Sequence, residues 1–176
     1  METSEGPSRP GAEPWAYFLT FACYGERLHG DERGSVDADN NGWRTPYLAA
    51  NRNRQRFEQR LMPQGRARLS EASREIVLAT IRSVARHQSW TLHAAHVRST
   101  HVHVVVTADD KPEMVLGKMK AYSSRALNEA SGRTSKRWSG HGSTVWLWDV
   151  HQLARTVDYV VHGQGAPMAC YINQQP

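Results

Sequence analysis

The chain is expected to fold as one α+β domain of the ferredoxin-like kind, with helices packed on an antiparallel sheet. Hydrophobic periodicity switches along the chain in the order strand, helix, strand, strand, helix, strand, helix. At 176 residues, the chain is long enough for one sizeable core and short for two. No internal repeat is visible. No stretch approaches the roughly 18 apolar residues that a membrane span needs, which argues against a membrane partner.

The first 13 residues are acidic and proline-bearing and lack an apolar h-region, so they read as a disordered tail rather than a signal peptide. The domain is placed at residues 14–172. Residues 15–24, WAYFLTFACY, lie between Pro14 and Gly25 and read as a central strand. An irregular, basic insertion covers about residues 27–69; a loop of that length in a compact domain is usually functional. Residues 51–61 are a candidate short helix within it. Ser70 is an N-cap for a helix to about His87, with Glu71 and Glu75 in its first turns and Ile76, Val77, Ile81 and Val84 as its apolar stripe. Residues 90–98 and 101–107 pair as strands about a tight turn at Ser99 and Thr100. Pro112 suits the first position of the next helix, which runs to about Ala130 and packs through Val115, Leu116, Met119 and Leu127. Residues 131–143 read as a polar, basic loop, residues 145–148 as a short strand with Trp146 and Trp148 in the core, and residues 150–161 as a last helix.

The net charge of +5 favours an anionic partner, and its distribution says more. Between Arg44 and Arg68 there are seven arginines and a single acid, Glu58. The planar guanidinium suits bidentate phosphate contact and stacking on bases, so Arg52, Arg54 and Arg56 are candidate nucleic-acid contacts. The other reading is a solvated loop with a basic bias. The loop carrying Arg133, Lys136 and Arg137 interleaves Trp138, the combination by which single strands are held. Cys23 and Cys170 are far apart and without metal-site spacing; Cys23, in an apolar run, reads as a buried reduced thiol and the chain as cytoplasmic.

The most chemical segment is RSTHVHVVVT, residues 98–107. Side chains alternate faces along a strand, so His101, His103 and Val105 share one face and Val102, Val104 and Val106 the other. The imidazoles then stand roughly 6.5–7 Å apart at Cα, close enough to bite one metal ion. Two histidines on a solvated strand face is the alternative. Imidazoles hold Mg²⁺ or Mn²⁺ less tightly than carboxylates, so a third ligand is expected. His93 and His96, three apart, make a poor ligand pair, and His151 and His162 have no motif context. Tyr122 lies in the helical run KMKAYSSRALN, residues 118–128, with Lys118, Lys120 and Arg125 close by. Cationic neighbours favour a phenolate and bind backbone phosphates. A packed helical tyrosine is the competing interpretation.

The THVHVVV run followed by KMKAYSSRALN resembles the HUH single-tyrosine transposases, the IS200-like family, where Val102 fills the large apolar middle position. The YFLTF strand and the terminal DYVVHGQGAP, residues 158–167, are similar to the REP-associated tyrosine transposase branch. The resemblance covers residues 14–172. It implies cleavage and rejoining of single-stranded DNA near hairpins through a 5′-phosphotyrosine intermediate. By position it makes His101 and His103 ligands of a divalent metal, Mg²⁺ or Mn²⁺, and Tyr122 the nucleophile. Lys118, Lys120, Arg125, Arg133, Lys136 and Arg137 join Arg52, Arg54 and Arg56 as expected DNA contacts. The family often has a polar third ligand one turn after its tyrosine, where this chain has Ala126; Asn128, a residue outside the helix or water then completes the shell. The implied partner is single-stranded or hairpin DNA, bound by a monomer or a homodimer in a prokaryotic cytoplasm. Two rivals stand beside this reading. One is a catalytically weak or inactive hairpin-binding protein of the same fold, which Ala126 motivates. The other is an unrelated His-x-His metal enzyme, which lacks the further carboxylate or second histidine motif it needs.

Overall fold

The computed structural model describes residues 13–26, 28, 29, 31, 32 and 49–174. The tail expected over residues 1–13 lies outside them except for Glu13, as do Arg44 and most of the first half of the basic insertion. Within them the α+β expectation holds: five antiparallel strands in one sheet, with helices on both faces. The strands are β1 (Ala16–Cys23), β2 (Thr91–Val97), β3 (His101–Thr107), β4 (Trp138–Leu147) and β5 (Ala169–Ile172), in the spatial order β4-β1-β3-β2-β5. The helices are α1 (Arg52–Leu61), α2 (Glu71–His87), α3 (Pro112–Ser131) and α4 (Val150–His162). Among the described residues no helix is long and apolar enough to cross a membrane.

Local chemistry sets the helix starts. The Asn51 side chain accepts from the Asn53 and Arg54 amides, Ser70 from Ser73, and Asp149 from Gln152, each satisfying donors a helix leaves unpaired. Proline opens α3, and Gly132 ends it in the left-handed conformation at φ 65°.

The two faces of the sheet bury different partners, and this division positions the site. Leu19, Phe21, Val97, Val102, Val104 and Val106 point to one side, where they pack with Val77 and Ile81 of α2 and Val115, Met119 and Leu127 of α3. Each such fully buried side chain contributes roughly 1.5–3 kcal/mol of transfer free energy. Ala16, Phe18, Ala94, Val105 and Leu147 point to the other side, against Leu153, Val157, Val160 and Val161 of α4.

Two elements differ from expectation at the C-terminal end. β4 begins at Trp138, inside the segment read as a polar loop, and β5 was not expected. Both are edge strands with irregular polarity: β4 carries glycines and mostly exposed residues, and β5 has only four residues. Neither shows the alternation that marks a half-buried strand. Trp146 is also not in the core. It is 43% exposed, stacked on Trp148 at 5.5 Å between ring centroids and edge-on to Tyr17. Cys23 is fully buried, and burial raises its thiol pKa to about 12, as an inert thiol requires.

Candidate active site

His101 and His103 lie on β3 with Val105, facing α4, their ring centroids 4.8 Å apart. His103 pairs in register with Thr20 of β1 and His96 of β2. Its Nδ1 lies 2.9 Å from Thr20 Oγ1, and His101 Nδ1 lies 3.1 Å from Thr100 Oγ1. With a proton on each Nδ1, both hydroxyls act as acceptors; such neighbours orient metal-binding imidazoles.

Burial drives the His103 pKa down to about 4, with the charges of His101, His96 and Arg98 lowering it further and a hydrogen bond to the Gln164 side chain opposing them. His103 is therefore unprotonated at neutral pH, as metal ligation requires. The consequence for stability follows directly. Below the ordinary histidine pKa of about 6.5 the unfolded chain binds a proton that folded His103 refuses, so stability present above pH 6.5 is lost as pH falls toward 4. The loss is about 2–3 kcal/mol for this residue. Burial lowers His93 and His96 in the same direction. Urea unfolding at pH 7 and pH 4.5 measures the loss, and His103→Gln is expected to remove His103's share of it.

Helix α4 brings Tyr159 to this pair. Its ring stands 6.2 Å from His103 and 6.1 Å from Phe18, edge-on to both, and it is 48% exposed. Gly163, one turn on, leaves the tyrosine its place: a Cβ there would sit 2.7 Å from Tyr159 Cδ2. Gln164 follows, donating to the Tyr159 carbonyl at 3.5 Å and bonding His103. Buried His96 secures the same helix end. Its Nδ1 donates to the Val160 carbonyl at 2.9 Å, and its Nε2 accepts from the Met168 amide at 3.2 Å. His96 is thus a fully satisfied core residue, consistent with its exclusion as a ligand.

Tyr122 requires a correction. The α3 stripe packs on the Val102, Val104 and Val106 face, so the sheet stands between α3 and the histidines. Tyr122 lines a small cavity with Thr80, Ser83, Val84, His87 and Gln88 of α2 and its end, under the Arg125 guanidinium 5.3 Å from its ring. Within one chain it cannot reach His101 or His103. Ala126, one turn beyond it on the same helix, is likewise separated from the histidines by the sheet.

Three expected DNA contacts are likewise engaged internally. Lys118 Nζ bonds Asp110 at 2.8 Å and Gln88 at 2.6 Å beside the Trp90 ring. Lys120 Nζ donates to the carbonyls of Ser139 and Gly140, and burial lowers its pKa. Arg137 binds Asn128 Oδ1, the Leu127 carbonyl and Ser131 Oγ, tying down the end of α3. Arg125 and Arg133 border an open groove on α3, and Lys136 lies over the Tyr24 ring. Arg52, Arg54 and Arg56 are exposed on α1, which buries none of its residues; Arg52 pairs with exposed Glu32 at 2.8 Å, and Arg54 lies 3.7 Å from Glu58.

The residues fit a divalent cation. Two oriented imidazoles and the Gln164 amide supply nitrogen and oxygen donors from three positions. Among the described residues no three His, Cys, Asp or Glu side chains form a metal-holding group, so no carboxylate joins the two histidines. Sequence reasoning did not single out Tyr159 and Gln164, which the structure brings beside His103. Their signal was the DYVVHGQG run on an amphipathic last helix, which has to cover the sheet face that α2 and α3 do not.

Comparison with known proteins agrees with this architecture. The family model described as "Transposase IS200 like" matches residues 61–160, more than half of the chain. No curated protein matches. Among solved structures, a REP-associated tyrosine transposase bound to a REP hairpin superposes with a TM-score of 0.50 at 14% identity, over 90% of this chain and 72% of that one. A candidate transposase from Deinococcus radiodurans R1 gives a TM-score of 0.44 at 15% identity, over 92% and 99% respectively. The first likeness is one of fold. With the family model spanning both the histidine strand and Tyr159, the chain belongs to the IS200-like transposase family.

Proposed function

We propose that this transposase cleaves and rejoins single-stranded DNA by attack of the Tyr159 hydroxyl on a phosphodiester. The observation that carries the proposal is the placement of Tyr159 beside His103 on the one sheet face that also holds His101. The Tyr159 oxygen forms a bond to phosphorus, the bond from phosphorus to the 3′ oxygen breaks, and the strand leaves with a 3′ hydroxyl. The phenolic proton passes to solvent. The enzyme then holds a 5′-phosphotyrosine that conserves the bond energy, so rejoining needs no ATP.

His101, His103 and Gln164 would hold Mg²⁺ or Mn²⁺, which would supply Lewis-acid stabilisation of charge developing on the phosphate. Phe18 and Gly163 fix the tyrosine ring, and Thr20 fixes His103. With α4 packed on its own sheet, one chain carries every residue of this reading, which supports action of the tyrosine in cis.

Gly163→Ala is expected to displace the tyrosine and lower adduct formation about tenfold or more, with little change in far-UV circular dichroism. A 1 Å misplacement of a reacting group is enough for such losses.

DNA hairpins are the proposed substrate class, since the structural neighbour was solved on one. The exposed arginines of α1 extend the contact. The Arg52–Glu32 pair is solvent-exposed and competes weakly with a phosphate. Neutralising Arg52, Arg54 and Arg56 together is expected to flatten the slope of log affinity against log salt by about 2, as three lost phosphate contacts on a single strand require. Fluorescence anisotropy across a salt series measures it; an unchanged slope places α1 away from DNA.

The test of the function is direct. Incubation with a labelled hairpin oligonucleotide bearing single-stranded flanks, in Mn²⁺, is expected to give a protein–DNA adduct that survives denaturation. Binding without any adduct would instead support the non-catalytic hairpin binder.

A further inference from the structure

Helix α4 ends without the device that ends α3. At Gly132 the chain turns into the left-handed conformation, whereas Gly163 at the end of α4 has φ −79°. A helix leaves its last carbonyls without intrahelical donors, and other groups have to supply them. The Tyr159 carbonyl takes the Gly163 amide at 2.9 Å. The next carbonyl, that of Val160, takes a side chain from the sheet: His96 Nδ1 of β2, at 2.9 Å.

The same ring has a second partner further along the chain. His96 Nε2 lies 3.2 Å from the Met168 amide, just before β5. A carbonyl only accepts and an amide only donates, so the two partners fix the tautomer with its proton on Nδ1. One fully buried imidazole thus closes residues 160–168 into a loop. Gln164, which bonds His103, lies inside that loop, and Tyr159 immediately precedes it. Arg98 Nη1 adds a tie to the Ala166 carbonyl at 3.1 Å, between Gln164 and Met168.

An apolar side chain at position 96 would fill the space but leave the Val160 carbonyl and the Met168 amide without these partners. The ring also stands next to the site. His96 is in register with His103 on the adjoining strand, and directly opposed residues share a face. The strand position of His103 and the helix end that carries Tyr159 are therefore joined through one side chain.

We infer that His96 is a positioning residue for strand cleavage: as the cap of the Val160 carbonyl it ends α4 where the Tyr159 ring meets His103, and as the clasp of the following loop it turns Gln164 onto His103. This role rests on the proposed function, in which Tyr159 is the nucleophile and Gln164 a ligand. His96 touches no reacting atom and acts through the placement of those two residues.

Two substitutions separate this role from ordinary packing, because each keeps one half of the bonding. An asparagine amide nitrogen occupies the place of Nδ1, and a glutamine amide oxygen that of Nε2. His96→Asn therefore keeps the donor to Val160 and loses the Met168 bond, and His96→Gln does the reverse. Each leaves one backbone group unpaired, so a packing role gives equal losses. The positioning role gives a split. With a labelled hairpin oligonucleotide and saturating Mn²⁺, His96→Gln is expected to form the adduct about tenfold or more slowly than the parent. His96→Asn is expected to stay within a few-fold of it, and to fall behind only when Mn²⁺ is limiting. Hairpin affinity, read by anisotropy, is expected to change little in either. Amide hydrogen exchange over residues 159–164 reads the cap apart from activity: it is expected to quicken about tenfold or more in His96→Gln and to hold near the parent's rate in His96→Asn.

Equal adduct rates in the two variants, or the larger loss in His96→Asn, overturn the role of His96 and leave Tyr159 as assigned. No adduct from the parent protein overturns the proposed function, and this role with it. The tautomer gives a check that does not depend on how the variants fold. In ¹⁵N-labelled parent protein, nuclear magnetic resonance is expected to show the His96 proton on Nδ1, and a proton on Nε2 instead would overturn the assignment.

Discussion

Tyr159→Phe is expected to abolish the covalent protein–DNA adduct, lowering its rate of formation by at least about a thousandfold, while Tyr122→Phe leaves the rate within a few-fold of the parent. Removal of a nucleophile eliminates the covalent pathway, whereas removal of a hydroxyl remote from the reacting atoms does not. The contrast follows from which face each helix covers. Tyr159 stands 6.2 Å from His103 between ring centroids, and Tyr122 lines a cavity with α2 residues on the far side of the sheet. Tyr159→Phe keeps the ring that packs on Phe18, so hairpin binding is expected to survive. Denaturing gels with end-labelled oligonucleotide report the adduct, and anisotropy the binding. An adduct lost in Tyr122→Phe and kept in Tyr159→Phe would reverse the assignment.

The second large effect concerns the ligands. His101→Ala and His103→Ala are each expected to slow adduct formation by about 10²–10⁴-fold, the range over which loss of one main source of charge stabilisation is felt. Chelation by EDTA is expected to bring the parent protein to the same level. Gln164→Ala is expected to cost less, about 10–100-fold, and to recover partly at high Mn²⁺ because two imidazoles remain. If the histidine variants kept the parental rate in Mn²⁺, the pair would have no part in the chemistry. Thermal unfolding at pH 7 separates these effects from misfolding.

Much of the fold was legible because its strongest elements obey simple periods. Ile76, Val77, Ile81 and Val84 recur at helical spacing after an N-cap at Ser70, and α2 starts at Glu71. Alternation from His101 to Val106 separated a valine face from a histidine face, and the two hydrophobic clusters of the structure divide along that line. Edge strands β4 and β5 were obscure because an edge needs no regular apolar face. The bulge between Leu92 and Ala94 also lies beyond a strict period of two.

Of the proposed site, half was legible. Local alternation is enough to place two histidines on one face, but which tyrosine stands beside them depends on which face its helix covers. Tyr122 drew attention through its basic neighbours, yet Lys118 and Lys120 turned out to bind Asp110, Gln88 and the carbonyls of Ser139 and Gly140. The same reasoning that put Val102, Val104 and Val106 in the core already reserved that face for α3, whose own stripe is apolar. Only α4 was left to cover the histidines, and it carries a single tyrosine. What no local pattern shows is the tying of α4 to the sheet by His96 through the Val160 carbonyl and the Met168 amide, 64 and 72 residues away.

The most direct measurement is to identify the adducted residue. After reaction with a hairpin oligonucleotide in Mn²⁺ and nuclease trimming, trypsin places Tyr159 in the peptide that begins at Thr156 and Tyr122 in the peptide Ala121–Arg125. Tandem mass spectrometry is expected to find the nucleotide mass on Tyr159. A nucleotide on Tyr122, with Tyr159 unmodified, would contradict the account.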